Sequence, residues 1–253
     1  MKRVLTAALL APPICYVVYA GHFWIFMGVV AAVAILCYHE FRAIAAAHGV
    51  EISGPLGYAA GLLLLIVPGQ ELAVVTLVAL LAFSLALRRA ELRQILPETA
   101  FLVLGVIYIF GSFRMAAGLR QISPHWLVYA LALNWVGDTA AYYAGRTLGR
   151  HKLAARLSPA KTWEGAIASA VVSVVFGVVY LARFLPSTPW FETVPLTLAV
   201  NVFGQFGDLA ESGLKRGAGL KDSGKLLPGH GGWLDRVDSS LFAFPVLYLW
   251  LTR

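Results

Sequence analysis

An all-α, polytopic integral membrane fold with about nine transmembrane helices is the architecture that three features of this sequence predict. Hydrophobic residues fill 59% of the 253 positions and charged residues 13%, far from the composition of a soluble domain of that length. The apolar residues gather into runs close to the roughly 20 residues that a helix needs to cross a bilayer. Between those runs the basic residues concentrate in alternate connections, as they do in multi-pass proteins.

The first run, 4–20, follows Met1-Lys2-Arg3 and resembles a secretory signal peptide, with its basic start and short apolar core. Pro12 and Pro13 lie inside it and its removal would leave an even number of spans, so an uncleaved first span is expected. Runs at 22–39, 70–87 and 97–115 are predominantly apolar, whereas the run at 54–68 is short and bounded by Pro55 and Pro68. Runs at 125–145, 163–183, 190–213 and 236–252 complete the set.

Threading these nine spans through a bilayer places sixteen of the twenty basic residues on one side. They are Lys2 and Arg3; Arg42; Arg88, Arg89 and Arg93; Arg146, Arg150, Lys152, Arg156 and Lys161; and Lys215, Arg216, Lys221, Lys225 and Arg236. The expected location is therefore the cytoplasmic (inner) membrane, with the N-terminus and the two largest polar loops facing the cytoplasm. A net charge of +7 would also suit nucleic acid, but the basic residues follow the topology and no base-stacking module accompanies them. Anionic lipid head groups and anionic small molecules are the expected partners. Cys15 and Cys37 both lie in apolar runs without metal-ligand spacing and read as packing residues.

Residues 1–124 contain no aspartate, and Asp138, Asp208, Asp222, Asp235 and Asp238 all fall later. The chain thus divides into N-terminal scaffold helices, 1–124, and a C-terminal half, 125–253, that carries the site. In the run at 125–145, Asn134, Asp138 and Tyr142 share a helix face, and Asn201, Gln205, Asp208 and Ser212 do so in the run at 190–213. Such stripes either line a polar cavity or bind helices together through hydrogen bonds. For Asn134, Asn201 and Gln205 both readings stand; for the two aspartates the functional reading is preferred.

Two loops carry the remaining chemistry. In the connection from 145 to 165, Ser158 followed by Pro159 predicts a helix start, and Lys161 in its first turn would reinforce a phosphate-binding N-terminus. The segment 212–238 interleaves Lys215, Arg216, Lys221 and Lys225 with Asp222, Asp235 and Asp238, and the glycines at 217, 219, 224, 229, 231 and 232 let backbone approach a ligand. Asp235 and Asp238 stand three residues apart at the start of the last span, so both can face one point. Paired hard oxygen ligands beside phosphate-binding lysines suit Mg²⁺ held jointly with substrate phosphates. His230 has three readings: ligand, acid–base group or loop hydrogen-bonder.

The run SGLKRGAGLKDSGKLLPGHGGWLDRVD from Ser212 to Asp238 resembles the signature of the phosphatidate cytidylyltransferase (CDP-diacylglycerol synthase) family. Asp138 with Thr-Ala-Ala-Tyr, the Gly-Arg run from 145, Ser158-Pro159 with Lys161-Thr162-Trp163-Glu164-Gly165, and Gly207-Asp208-Leu209 with Glu211-Ser212 are similar to further family segments. Trp233, where the family usually has an aliphatic residue, and Ala160, often polar in relatives, depart from the pattern. The resemblance implies that CTP and phosphatidic acid give CDP-diacylglycerol and pyrophosphate. It implies catalytic roles for Lys215, Arg216, Lys221, Asp222, His230, Asp235, Arg236 and Asp238. Substrate binding would fall to Lys161, Thr162, Glu164, Ser212, Ser223, Gly231 and Gly232. Mg²⁺, with a second metal ion or K⁺ as a further candidate, would lie on Asp138, Asp208, Asp235 and Asp238.

Other CTP-dependent membrane enzymes would keep the nucleotide loop and change the lipid acceptor. A transporter would want a pathway to both faces, but the aspartates lie near one face and no inverted repeat relates the halves. A homodimer is a candidate assembly.

Overall fold

The computed structural model describes residues 16–88, 91–226 and 231–253. Most of the expected first span, the signal-peptide question, Cys15 and His230 lie outside the described residues. The fold is all-α, 78% helical with almost no strand. Its helices are α1 (Phe23–Ala47), α2 (Gly54–Ile66), α3 (Glu71–Ala86), α4 (Ile95–Gly105), α5 (Ser112–Ile122), α6 (Pro124–Thr147), α7 (Trp163–Phe184), α8 (Trp190–Gly217) and α9 (Leu234–Thr252).

Each expected run inside the described residues coincides with helix, but the lengths differ in a physically informative way. Among the described residues, three helices are long and apolar enough to cross a membrane: Phe23–Ala47, the 31-residue rod Leu92–Ile122 that contains α4 and α5, and Trp163–Phe184. By contrast α2 has 13 residues and α3 has 16. At 1.5 Å per residue these reach about 20 and 24 Å, short of a hydrocarbon core of about 30 Å. Pro55 and Pro68 set the limits of α2, as the sequence suggests. Helices α6, α8 and α9 sit at their expected positions but carry polar faces.

The chain forms two compact units, Met1–Arg114 with Leu214–Arg236, and Met115–Gly213 with Val237–Arg253. In the first unit, Tyr38, Phe41, Ile44, Leu64, Leu65, Ile109 and Phe110 are fully buried. Rings approach backbone closely there because the facing residue is glycine: a Cβ on Gly61 would lie 2.2 Å from Phe110, and one on Gly57 1.8 Å from the Tyr38 hydroxyl. Between α4 and α5 the rod widens into a π-type turn, Val106–Gly111, which buries Val106, Tyr108, Ile109 and Phe110.

In the second unit the polar stripes resolve into helix glue. Asn201 Nδ2 donates to Ser169 Oγ and Ser173 Oγ, both at 2.9 Å, and its carbonyl accepts from Gln205 Nε2 at 2.8 Å. Asn134 Nδ2 donates to Ser240 Oγ at 3.1 Å. These bonds join α6 to α9 and α7 to α8 through side chains that hydrocarbon could not satisfy.

The helix expected to begin at Ser158 starts instead at Trp163. Ser158–Thr162 is a strand paired antiparallel with Lys152–Ala154. Thr162 takes the capping role, its hydroxyl accepting from Gly165 N at 3.2 Å. Glu164 then fastens the hairpin, accepting from His151 N at 3.2 Å and meeting His151 Nδ1 at 2.7 Å. Lys161 therefore stands on a strand rather than in a helical turn.

Replacing Asn201 with leucine should lower stability by about 1–3 kcal/mol, since two buried bonds to serines and a part-buried bond to Gln205 are lost and the serines stay buried. Thermal unfolding in detergent measures this, and an unchanged midpoint would contradict the glue assignment.

Candidate active site

The residues singled out in the sequence form two groups. The first belongs to the segment 214–236, where the last turn of α8 leads through a loop into the first turn of α9. Lys215 Nζ donates to Asp235 Oδ1, and the two side chains are only 10% and 7% exposed. The other carboxylate oxygen, Oδ2, accepts from Gly232 N at 2.7 Å, Ser223 N at 3.0 Å and Ser223 Oγ at 2.9 Å. Such a cradle favours the ionised carboxylate. Three donors crowd Oδ2, so Asp235 would meet a metal through Oδ1, beside the ammonium of Lys215.

Local backbone geometry makes this cradle possible. Gly231 has φ +77°, a left-handed conformation that side chains disfavour, and a Cβ there would lie 2.6 Å from Asp235 Oδ2. A Cβ on Gly232 would lie 2.2 Å from Ser223 Oγ. Gly231 and Gly232 are thus demanded by close packing around a carboxylate of the protein itself and its Ser223 donor. Arg216 Nη1 donates to Leu220 O at 3.1 Å. Lys221, Asp222 and Arg236 are exposed.

The second group lies in the second unit. Asp238 feels the charges of Asp208, Glu211 and Asp138, and its Oδ1 accepts from Ser239 N at 2.7 Å. Glu211 is fully buried. Lys161 Nζ pairs with Asp208 Oδ2 at 2.6 Å, and Ser212 Oγ lies 3.4 Å from Asp208 Oδ1. Gly204 and Gly207, in line with Glu211 on α8, leave room for α6 and α9: a Cβ on Gly204 would lie 2.7 Å from Asn134 Oδ1, and one on Gly207 2.6 Å from Asp238 O. Thr162 and Glu164 are occupied by the cap and hairpin bonds described above.

The donor chemistry of this second group suits a divalent cation, because hard carboxylate oxygens accumulate around Asp238 with Lys161 paired to one of them. Among the described residues no three His, Cys, Asp or Glu side chains converge as a ready-made metal cage.

Two contributors escaped the sequence reading. Glu40 in α1 is 2% exposed, and its carboxylate accepts from the backbone of Trp233 and Leu234 and from Ser223 Oγ. An acid in a mostly apolar helix is a signal in itself, but it was obscured because the apolar run was ended at residue 39. His48, whose Nε2 donates to Leu214 O at 2.9 Å, lies beyond the same boundary.

The chain matches the model of the "Cytidylyltransferase family" over residues 1–252. It is similar to the phosphatidate cytidylyltransferase of Staphylococcus haemolyticus, at 40% identity over 156 residues, 62% of this chain and 60% of that protein. The Bacillus subtilis enzyme of that name is 38% identical over 186 residues, 72% of this chain and 68% of the relative. The Staphylococcus aureus one is 36% identical over 204 residues, 77% and 78%. The match therefore reaches less than two thirds of the first relative and more than two thirds of the other two.

The buried Lys215–Asp235 pair gives a stability test that does not depend on activity. Lys215→Met leaves a buried carboxylate without its cation and should cost about 3–5 kcal/mol, with Lys215→Arg costing less. Equal unfolding midpoints for wild type and Lys215→Met would contradict the burial of the pair.

Proposed function

The chain belongs to the cytidylyltransferase family, and we propose on that basis that it transfers the cytidylyl group of CTP to phosphatidic acid, giving CDP-diacylglycerol and pyrophosphate. The observation that carries the acceptor identity is the shared activity of the relatives it matches. The two residue groups supply what that reaction requires. A phosphate monoester has a second pKa of about 6, so the lipid phosphate is largely dianionic near neutrality and needs no strong base. Its oxygen attacks the α-phosphorus of CTP, forming a new P–O bond as the bond to the β-phosphate oxygen breaks and pyrophosphate leaves.

Two anions must meet, so alignment and charge neutralisation are the main tasks of the protein. Lys215, Arg216, Lys221 and Lys161 are assigned to the phosphates. Asp222, His230, Arg236, Thr162, Glu164, Ser212, Ser223, Gly231 and Gly232 complete the assigned set. Mg²⁺ would be held by Asp208 and Asp238, with Asp138 and Asp235 as further ligands; when bound it supplies positive charge at the reacting phosphates. A second metal ion or K⁺ would find its oxygen donors in the same carboxylates.

The charge asymmetry of the loops favours the cytoplasmic face of the inner membrane for this chemistry, where CTP arrives from solution and phosphatidic acid from the bilayer. A homodimer is the proposed assembly.

Purified protein in detergent should convert radiolabelled CTP into a lipid-extractable product only when phosphatidic acid and Mg²⁺ are both present. Asp238→Asn removes one member of a mutually repelling cluster, so it should remain folded while turnover falls by about 100-fold or more. Product formed without phosphatidic acid would refute the acceptor. Wild-type turnover by Asp238→Asn at saturating Mg²⁺ would refute the metal assignment.

A further inference from the structure

We infer that Glu40, with His48 on the same face of α1, is a positioning residue that holds Lys215 and Asp235 in register. As a statement about catalysis this rests on the activity proposed above.

Glu40 behaves as a helix cap supplied from a distant part of the chain. Its Oε1 accepts from Trp233 N at 3.0 Å and its Oε2 from Leu234 N at 2.8 Å. These donors stand at the start of α9, where N–H groups have no partner within the helix. A buried carboxylate there satisfies them and complements the positive end of the helix dipole. Asp235 is the next residue, so whatever fixes this pair of amides fixes its backbone.

The same carboxylate also reaches Asp235 through a hydroxyl. Ser223 Oγ lies 2.9 Å from Glu40 Oε2 and 2.9 Å from Asp235 Oδ2. One hydroxyl has one hydrogen, so the two acids share it. Close packing restricts the arrangement further: a Cβ on Gly224 would lie 2.6 Å from Glu40 Oε1, and one on Gly232 2.3 Å from Oε2.

The other end of the segment is held by His48. Its Nε2 donates to Leu214 O, the carbonyl just before Lys215, and a Cβ on Gly217 would lie 2.7 Å from its ring. Glu40, Ile44 and His48 are spaced i, i+4, i+8 and share one helix face, with Ile44 fully buried between them. One face of α1 thus grips the chain immediately before each partner of the Lys215–Asp235 pair.

A carboxylate is specifically required, because both its oxygens accept. Glutamine keeps the shape but turns an NH₂ group toward a backbone N–H. In Glu40→Gln, hydrogen exchange at the Trp233 and Leu234 amides should accelerate at least about tenfold. The kcat should fall by about 10–100-fold, the range seen for residues that orient a ligand rather than touch substrate, and the KM for CTP should hold.

Exchange at wild-type rates in Glu40→Gln would overturn the anchor, and accelerated exchange with wild-type kcat would overturn the positioning role. If Glu40→Gln does not fold, His48→Phe decides: faster exchange over residues 214–220 with reduced kcat supports the clamp, and wild-type values of both overturn it. Absence of cytidylyl transfer by the wild-type protein would refute the proposed activity, while the exchange data would still test the anchor.

Discussion

A polar group taken out of water inside an apolar chain must find its partner within the protein, because hydrocarbon offers none. This constraint orders most of what is polar in the structure. Asp235 is cradled by an ammonium, a hydroxyl and two amides. Asn201 spends its amide on two serines and a glutamine. Glu40 takes up the free donors of a helix start. In each case a residue that would be costly alone becomes a fixed point, and the loop from Lys215 to Asp235 is built on such fixed points.

Two aspartates three residues apart on α9 stand in opposite surroundings. Asp235 has its charge compensated by Lys215 and by oriented dipoles, and so serves the integrity of the segment whatever else it does. Asp238 is instead half-buried with the charges of other carboxylates acting on it. The i, i+3 spacing that makes both look alike in sequence does not distinguish these environments, because the residues that create them lie on α6, α8 and the loop.

The helices were legible because their apolar runs are long and their breakers, such as Pro55 and Pro68, are strong. What was not legible depended on tertiary partners. Ser158-Pro159 has good helix-start chemistry, but pairing with Lys152–Ala154 and the cap at Thr162 override it. The stripe through Asn201 and Gln205 fitted both cavity and glue until the serines of α7 were seen opposite it. Glu40 and His48 are hidden in the sequence for a simpler reason: a hydropathy boundary at the first polar residues cuts α1 eight residues short of its end at Ala47. The signature segment was the most legible part of the site, because its charge pattern departs so far from the rest of the chain.

Charge explains why the segment 212–238 carries more cations than it uses internally. It holds five basic residues against three aspartates, and burial pairs Lys215 with Asp235. Arg216, Lys221 and Arg236 stay exposed, so their field extends into solvent for about a Debye length. On the proposed activity, an anionic nucleotide approaching from water would meet that excess first, which would raise its encounter rate without requiring any one of these residues to touch a reacting atom. The buried pair sets geometry and the exposed cations set capture, so substitutions in the two classes should separate in kcat and in the salt dependence of kcat/KM.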